Sequence, residues 1–250
     1  PTPTQARAKA LVRAGGIALL FGDYDAARPW LQESLAYSRT VGDRRGIARA
    51  LAGLVVVAMW QGRFEEAYEV GQESLEIYRQ VGEERGVAMA LHNLGTIEFA
   101  LKRADYGRAR LEAALEMLRA REDKGTEALC LSGLAMSLIR GGDGAAAQVR
   151  LGECLALLQG LDLPRESFAI LDAMAEWLYA MDRPTEAALM LGAAGRIRMD
   201  LGARPLSWER EDFERLRGSI EGALGETAAS RGLEEGAARV GQVGQPVLFF

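Results

Sequence analysis

Leu31–Gly46 reads LQESLAYSRTVGDRRG, and Gly71–Gly86 reads GQESLEIYRQVGEERG. The two stretches match at a spacing of 40 residues, and the same spacing orders most of the chain. LAGL at Leu51–Leu54, LHNL at Leu91–Leu94, LSGL at Leu131–Leu134 and LDAM at Leu171–Met174 share one phase. Leu35, Leu75, Leu115 and Leu155 share another. The small residues Ala27, Ala67, Gly107, Ala147 and Ala187 follow it, as do Gly22, Gly62, Lys102, Gly142 and Asp182. A fixed period of this length is the mark of a repeat architecture. It runs from about residue 4 to about residue 202, giving about five units.

Inside a unit the apolar residues fall at helical spacing. Leu51, Leu54, Val55, Ala58 and Met59 share one face; Ala67, Val70, Gly71, Ser74, Leu75 and Tyr78 share another. Gly62 separates the two runs where a left-handed helix cap needs glycine, and Gly42, Gly82 and Gly202 end the second runs. Asp43 stands ready to cap the helix that follows. No stretch alternates as a strand would, and no Asn-Gly hairpin occurs. Each unit is therefore a helix hairpin of about 40 residues. The small positions let two helices approach closely, and the leucines fill the seams between hairpins. One hairpin cannot cover its own apolar face, whereas a stack of them can.

This pattern resembles the tetratricopeptide repeat (TPR). Ala14–Leu35, AGGIALLFGDYDAARPWLQESL, and Leu94–Leu115, LGTIEFALKRADYGRARLEAAL, are similar to that family's core. The resemblance implies an all-α, right-handed TPR-like superhelical solenoid of about five hairpins. The repeats take residues 1–204, C-terminal capping helices take 205–240, and 241–250 form a tail. Gly141–Ala147, GGDGAAA, lacks the turn aromatic, which puts the packing of the fourth unit in question. Ala187–Glu226 is similar to the tail of the repeat domain in bacterial regulators of the MalT/LuxR-type ATPase class. Gly232–Val240 resembles the closing helix of such domains. After residue 205 the period fades, but Phe213, Leu216, Ile220 and Leu224 still make an amphipathic helix.

About half of the residues are apolar, at 49%, enough for a sizeable core. A net charge of −5 argues against a nucleic-acid surface over the whole chain. No stretch approaches the length of a membrane span, and PTPTQARAKA at the start lacks the order of a signal peptide. The start also lacks Met, so the chain reads as processed or as cut from something longer. The two cysteines, Cys130 and Cys154, suit a reducing compartment, and the expected location is cytoplasmic.

No catalytic pattern emerges. Neither GGDGAAAQ nor GEERG carries the lysine of a phosphate-binding loop. His92 is the only histidine, which excludes a multi-histidine zinc site, and no Ser-His-Asp order can be argued from it. Cys154 occupies the small-residue phase of Ser34, Ser74 and Ala114, so both thiols read as buried packing groups. The chain is expected to be non-enzymatic, without metal or cofactor.

The resemblance implies a concave groove lined by first helices. Its phase gives the candidates Arg13, Arg49, Met59, Trp60, His92, Asn93, Thr96, Phe99, Met136, Arg140, Asp172, Glu176 and Tyr179. Lys9, Arg13 and Arg49 lie toward one end and Asp172 and Glu176 toward the other, a grading that suits an extended peptide or serves only as a solvated rim. Asn93 sits where some TPR proteins grip a peptide, but Gly53 and Gly133 at the matching positions exclude a full carboxylate clamp. The bland readings are that Met59 and Phe99 are inter-repeat core, His92 a structural residue, and Trp60 a staple between two units. The expected partner is a protein or peptide, or a small inducer, with no nucleic acid and no membrane; self-association stays open. The leading expectation is the sensing or interaction part of a bacterial transcriptional regulator, the alternative a stand-alone assembly scaffold.

Overall fold

A computed structural model describes residues 4–20, 22–158, 164–202 and 207–243. The tail segment 244–250, and residues 203–204 at the edge of the expected repeat block, lie outside the described residues. All regular structure among the described residues is helical. The chain divides into two compact units, Pro1–Arg121 and Glu122–Phe250.

The first unit contains α1 (Gln5–Leu20), α2 (Tyr24–Val41), α3 (Arg44–Trp60), α4 (Phe64–Gln80), α5 (Glu84–Ala100) and α6 (Ala104–Arg121). They form hairpins α1/α2, α3/α4 and α5/α6, with α3 packed on α1 and α2, and α5 on α3 and α4. The second unit contains α7 (Lys124–Arg140), α8 (Gly144–Leu158), α9 (Pro164–Ala180), α10 (Pro184–Asp200), α11 (Ser207–Leu224) and α12 (Glu226–Val243). Here α7 pairs with α8 and α9 with α10, while α9 also packs on α7.

The turns repeat at half the unit length. Gly22, Gly42, Gly62, Gly82, Gly142 and Gly202 all have φ between 61° and 82°. Lys102, Glu122 and Asp182 take the same left-handed conformation without being glycine, at φ 60°, 59° and 59°. The turn is thus set by the stack and not by the residue, and these three side chains bear its steric cost. Asp23, Asp43, Asp123 and Asp143 then cap the next helix by accepting from the backbone N–H three residues on. The bond from Gly46 N–H, at 3.0 Å, is the main reason that the Asp43 carboxyl titrates below its ordinary range.

Ala27, Ala67, Ala147 and Ala187 are fully buried, as the crossing of two helices requires. At Gly107 the approach is closest: a Cβ there would lie 2.8 Å from the Gly95 carbonyl, so α5 and α6 meet backbone to backbone. Leu51, Leu91, Leu131 and Leu171 are buried throughout, each contributing about 1.5–3 kcal/mol. A polar tie repeats with the packing. Ser34 Oγ donates to the Ala8 carbonyl at 2.8 Å, and Ser74 Oγ to that of Ala48 at 3.0 Å. Cys154 Sγ reaches the Ala128 carbonyl at 3.6 Å in the second unit. Each joins the second helix of a hairpin to the first.

The hairpin without a turn aromatic is completed from outside. Where Tyr24 and Phe64 begin α2 and α4, α8 begins with Gly144. Trp177 of α9 donates its indole N–H to the Gly144 carbonyl at 2.9 Å, and Met181 Sδ lies within 3.2 Å of where a Cβ would stand. After α10 the stacking changes. Helix α12 lies along α10 through Gly192, Gly232 and Gly236: a Cβ on Gly192 would fall 2.1 Å from the Leu233 carbonyl, and one on Gly236 2.0 Å from that of Leu189. No side chain larger than hydrogen fits these crossings.

Candidate functional site

The candidate residues fall into two sets, one in each unit. In the first unit α3 contributes Arg49, Met59 and Trp60, α5 contributes His92, Asn93, Thr96 and Phe99, and α1 contributes Arg13. Met59 is buried at 7% exposure, a core residue. Trp60 is half-buried and stacks on Tyr24 of α2, ring centroids 4.6 Å apart and planes 20° apart, so it ties the first hairpin to the second. Such a stack is worth about 0.5–1.5 kcal/mol beyond area burial. Phe99 is half-buried, its ring edge lying 3.2 Å from the place of a Cβ on Gly107.

His92, Asn93 and Thr96 are each half-buried and form a local polar row. His92 Nδ1 lies 3.3 Å from Asn93 Oδ1, and Thr96 Oγ1 donates to the His92 carbonyl at 3.1 Å. Burial of the imidazole lowers its pKa, while the Asn93 contact works the other way. His92 is therefore a neutral donor–acceptor at neutral pH. Arg13 is exposed. Arg49 pairs with Glu83 at 2.9 Å, and that hydrogen bond raises its pKa.

In the second unit α7 contributes Met136 and Arg140, and α9 contributes Asp172, Glu176 and Tyr179. Met136 is half-buried. The charged members do not stand free. Asp172 accepts from both terminal nitrogens of Arg198 on α10, one at 3.1 Å, and that guanidinium lies 4.6 Å over the Phe168 ring. Arg140 pairs with Asp212, and Glu176, at 9% exposure, pairs with Arg215. Tyr179 donates to the Ser219 carbonyl at 3.4 Å. Asp212, Arg215 and Ser219 all belong to α11. Burial disfavours the charged form of Arg215, but the Glu176 carboxylate prevails and raises its pKa. Helix α11 thus binds the α7 and α9 side of this unit with a chain of alternating charges, Arg140–Asp212–Arg215–Glu176, over buried Leu216 and Ile220.

Sequence reasoning missed these α11 groups because the period fades before them. It also missed Glu98. That residue occupies the phase of Ala18, Ala58 and Leu178, yet is a carboxylate at 2% exposure. Its partner is Arg110 Nε on α6, at 2.9 Å, and the same guanidinium lies 5.9 Å from the Tyr68 ring centre on α4. The signal was available: an acid in an otherwise apolar phase.

Both thiols are fully buried, and burial pushes each up to about 12, so they are protonated and unreactive at neutral pH. Among the described residues no cluster of His, Cys, Asp or Glu is arranged to hold a metal ion. No described helix is long and apolar enough to cross a membrane.

Residues 46–120 match the tetratricopeptide-repeat family model. No curated protein matches the chain. Among solved structures, a kinesin light chain of Podospora anserina with nearly identical TPR-like repeats superimposes with a TM-score of 0.58 at 14% identity, covering 80% of this chain and 98% of that one. The apo form of RapI gives 0.61 at 15% identity over 87% of this chain and 85% of its own. A Rap protein complexed with competence and sporulation factor gives 0.61 at 10% identity, over 87% and 66%. At these identities the likeness is one of fold.

Proposed function

We propose that this chain is a non-enzymatic binding domain that takes a protein segment or extended peptide on the first helices of its first unit. The observation that carries the reading is the half-buried row Val56, Trp60, His92, Asn93, Thr96 and Phe99 on α3 and α5. It offers apolar and aromatic surface beside neutral hydrogen-bonding groups, with cations at Arg13 and Lys9 on α1. An extended peptide needs that combination: apolar contact for its side chains and donors and acceptors for its backbone. One of the similar folds, the Rap protein, was solved with a bound factor.

In the narrower form of the proposal, the domain is the sensing part of a bacterial transcriptional regulator and passes ligand binding to further modules. This rests on the resemblance of Ala187–Glu226 and Gly232–Val240 to the tails of such proteins. The alternative, a scaffold that joins proteins and has no small-molecule ligand, uses the same surface.

A thermal-shift screen of the purified chain against short peptides and small metabolites tests the reading. A ligand at a hundred times its Kd stabilises the native state by about 2.7 kcal/mol. A peptide hit that is lost in Val56→Glu and weakened in Asn93→Ala, both still folded, supports the site. A hit unaffected by both variants refutes it. A metabolite hit lost in Val56→Glu favours the sensing form, and a protein-only ligand favours the scaffold.

A further inference from the structure

The stack supplies its own internal control for every helix face. On α3, Ala50, Leu51 and Val57 are buried at 0%, 2% and 1% exposure. On α5 the same positions, Ala90, Leu91 and Ile97, are buried at 5%, 6% and 0%. In each case the preceding hairpin covers them: Val57 sits in a cluster with Ala18, Ala27 and Leu31 of α1 and α2. On α1 the equivalent positions are Ala10, Leu11 and Ile17. Ala10 is exposed, Leu11 is half-buried, and Ile17 is exposed at 56%. An end helix that closes a stack carries a polar outer face. Helix α1 instead keeps the apolar pattern of an internal helix.

We infer that this face of α1 takes a further helix hairpin of the same repeat, stacked directly ahead of α1 and joined to it by the same short turn. Two observations select that occupant. First, the face continues an interface that recurs inside this unit, at α3 on α1/α2 and at α5 on α3/α4. Second, the charge of α1 opposes a second copy. A two-fold α1–α1 contact would bring Lys9 and Arg13 against themselves, and α1 has no acid to offset them.

The phase also specifies the partner's side chain. Leu31 of α2 packs onto Gly53 of α3, 2.7 Å from where a Cβ would stand. At the next junction the facing residue of α4 is Gly71, and α5 carries Asn93 and Leu94 in that place. On α1 the equivalent of Gly53 is Arg13, so the incoming helix must be small at the Leu31 position, as α4 is at Gly71.

The test joins a copy of residues 43–82, which carries Gly71, directly ahead of Pro3, so that the 40-residue phase is kept. Hydrogen exchange of the α1 amides, sedimentation and proteolysis are measured with and without it. The inference predicts a monomeric native chain, and at least about tenfold slower exchange along α1 once the hairpin is added. It predicts a protease-resistant added hairpin, with all the gain lost in Ile17→Lys. That substitution leaves the chain without the hairpin unchanged, since Ile17 is exposed there. A native chain that dimerises, and is made monomeric by Ile17→Lys, overturns the inference in favour of a second copy. An added hairpin that is cleaved freely and leaves α1 exchange unchanged overturns it outright.

Discussion

Replacing Lys102 by glycine should stabilise the protein. Lys102 ends α5 at φ 60°, whereas Gly22, Gly62 and Gly142 hold the equivalent place at 71°, 71° and 82°. An L side chain in this conformation costs about 1–2 kcal/mol. Glycine returns part of that gain, about 0.5–1 kcal/mol, through the greater freedom of its unfolded chain. The net expectation is a gain of about 0.5–1 kcal/mol, read as about 1–4 °C in Tm for a chain of this size. Nothing offsets it by lost contacts, because Lys102 is exposed. Asp182, at φ 59°, should gain less, because aspartate tolerates the left-handed region better than lysine does. The reverse change, Gly62→Ala, should cost about 1 kcal/mol. Urea unfolding followed by circular dichroism measures all three. A neutral or destabilising Lys102→Gly, together with a harmless Gly62→Ala, would refute the claim that the stack imposes this turn conformation.

Two other predictions concern the interior. Glu98→Ala should destabilise by about 3–5 kcal/mol, since it leaves the Arg110 guanidinium without its carboxylate; the double change Glu98→Leu, Arg110→Met should recover most of the loss in the same urea assay. An equal loss in both variants would show that the ion pair itself is needed. In alkali, Cys130, Cys154 and Tyr78 act together, each pushed up to about 12, chiefly by burial. Their folded values exceed the unfolded ones, so the stability they contribute is complete below about pH 9 and is lost as pH rises toward 12. Urea midpoints should fall across that window, and both thiols should resist alkylation at neutral pH until the chain is unfolded; rapid labelling of either in the native protein would contradict their burial.

What the sequence disclosed follows from the periodicity of the physics. Positions whose role is repeated, such as Ala27 at the crossings, Leu51 in the seams and Gly62 at the turns, were legible because each was read several times over. Even Lys102 and Asp182 were placed in the turn by phase, although neither residue type favours it. Features that occur once were not legible. Glu98 broke an apolar phase without indicating that Arg110, twelve residues on, would meet it. The tie of α11 to Arg140, Glu176 and Tyr179 lay beyond the end of the period. The candidate site divides in the same way. Phase placed His92, Asn93 and Thr96 together and offered core for Met59 and a staple for Trp60 beside their groove readings, but could not tell that the staple's partner is Tyr24 or that Asp172 is held by Arg198. Such pairings depend on which neighbour a side chain reaches, and one repeat does not announce that to the next.

The most direct measurement on the proposed binding surface is hydrogen exchange of the full chain with and without a peptide found by screening. Binding on the first helices predicts added protection at α3 and α5, centred on Val56–Trp60 and His92–Phe99, with α4 and α6 unchanged. Protection confined to the second helices, or to α10 and α12, would contradict the account.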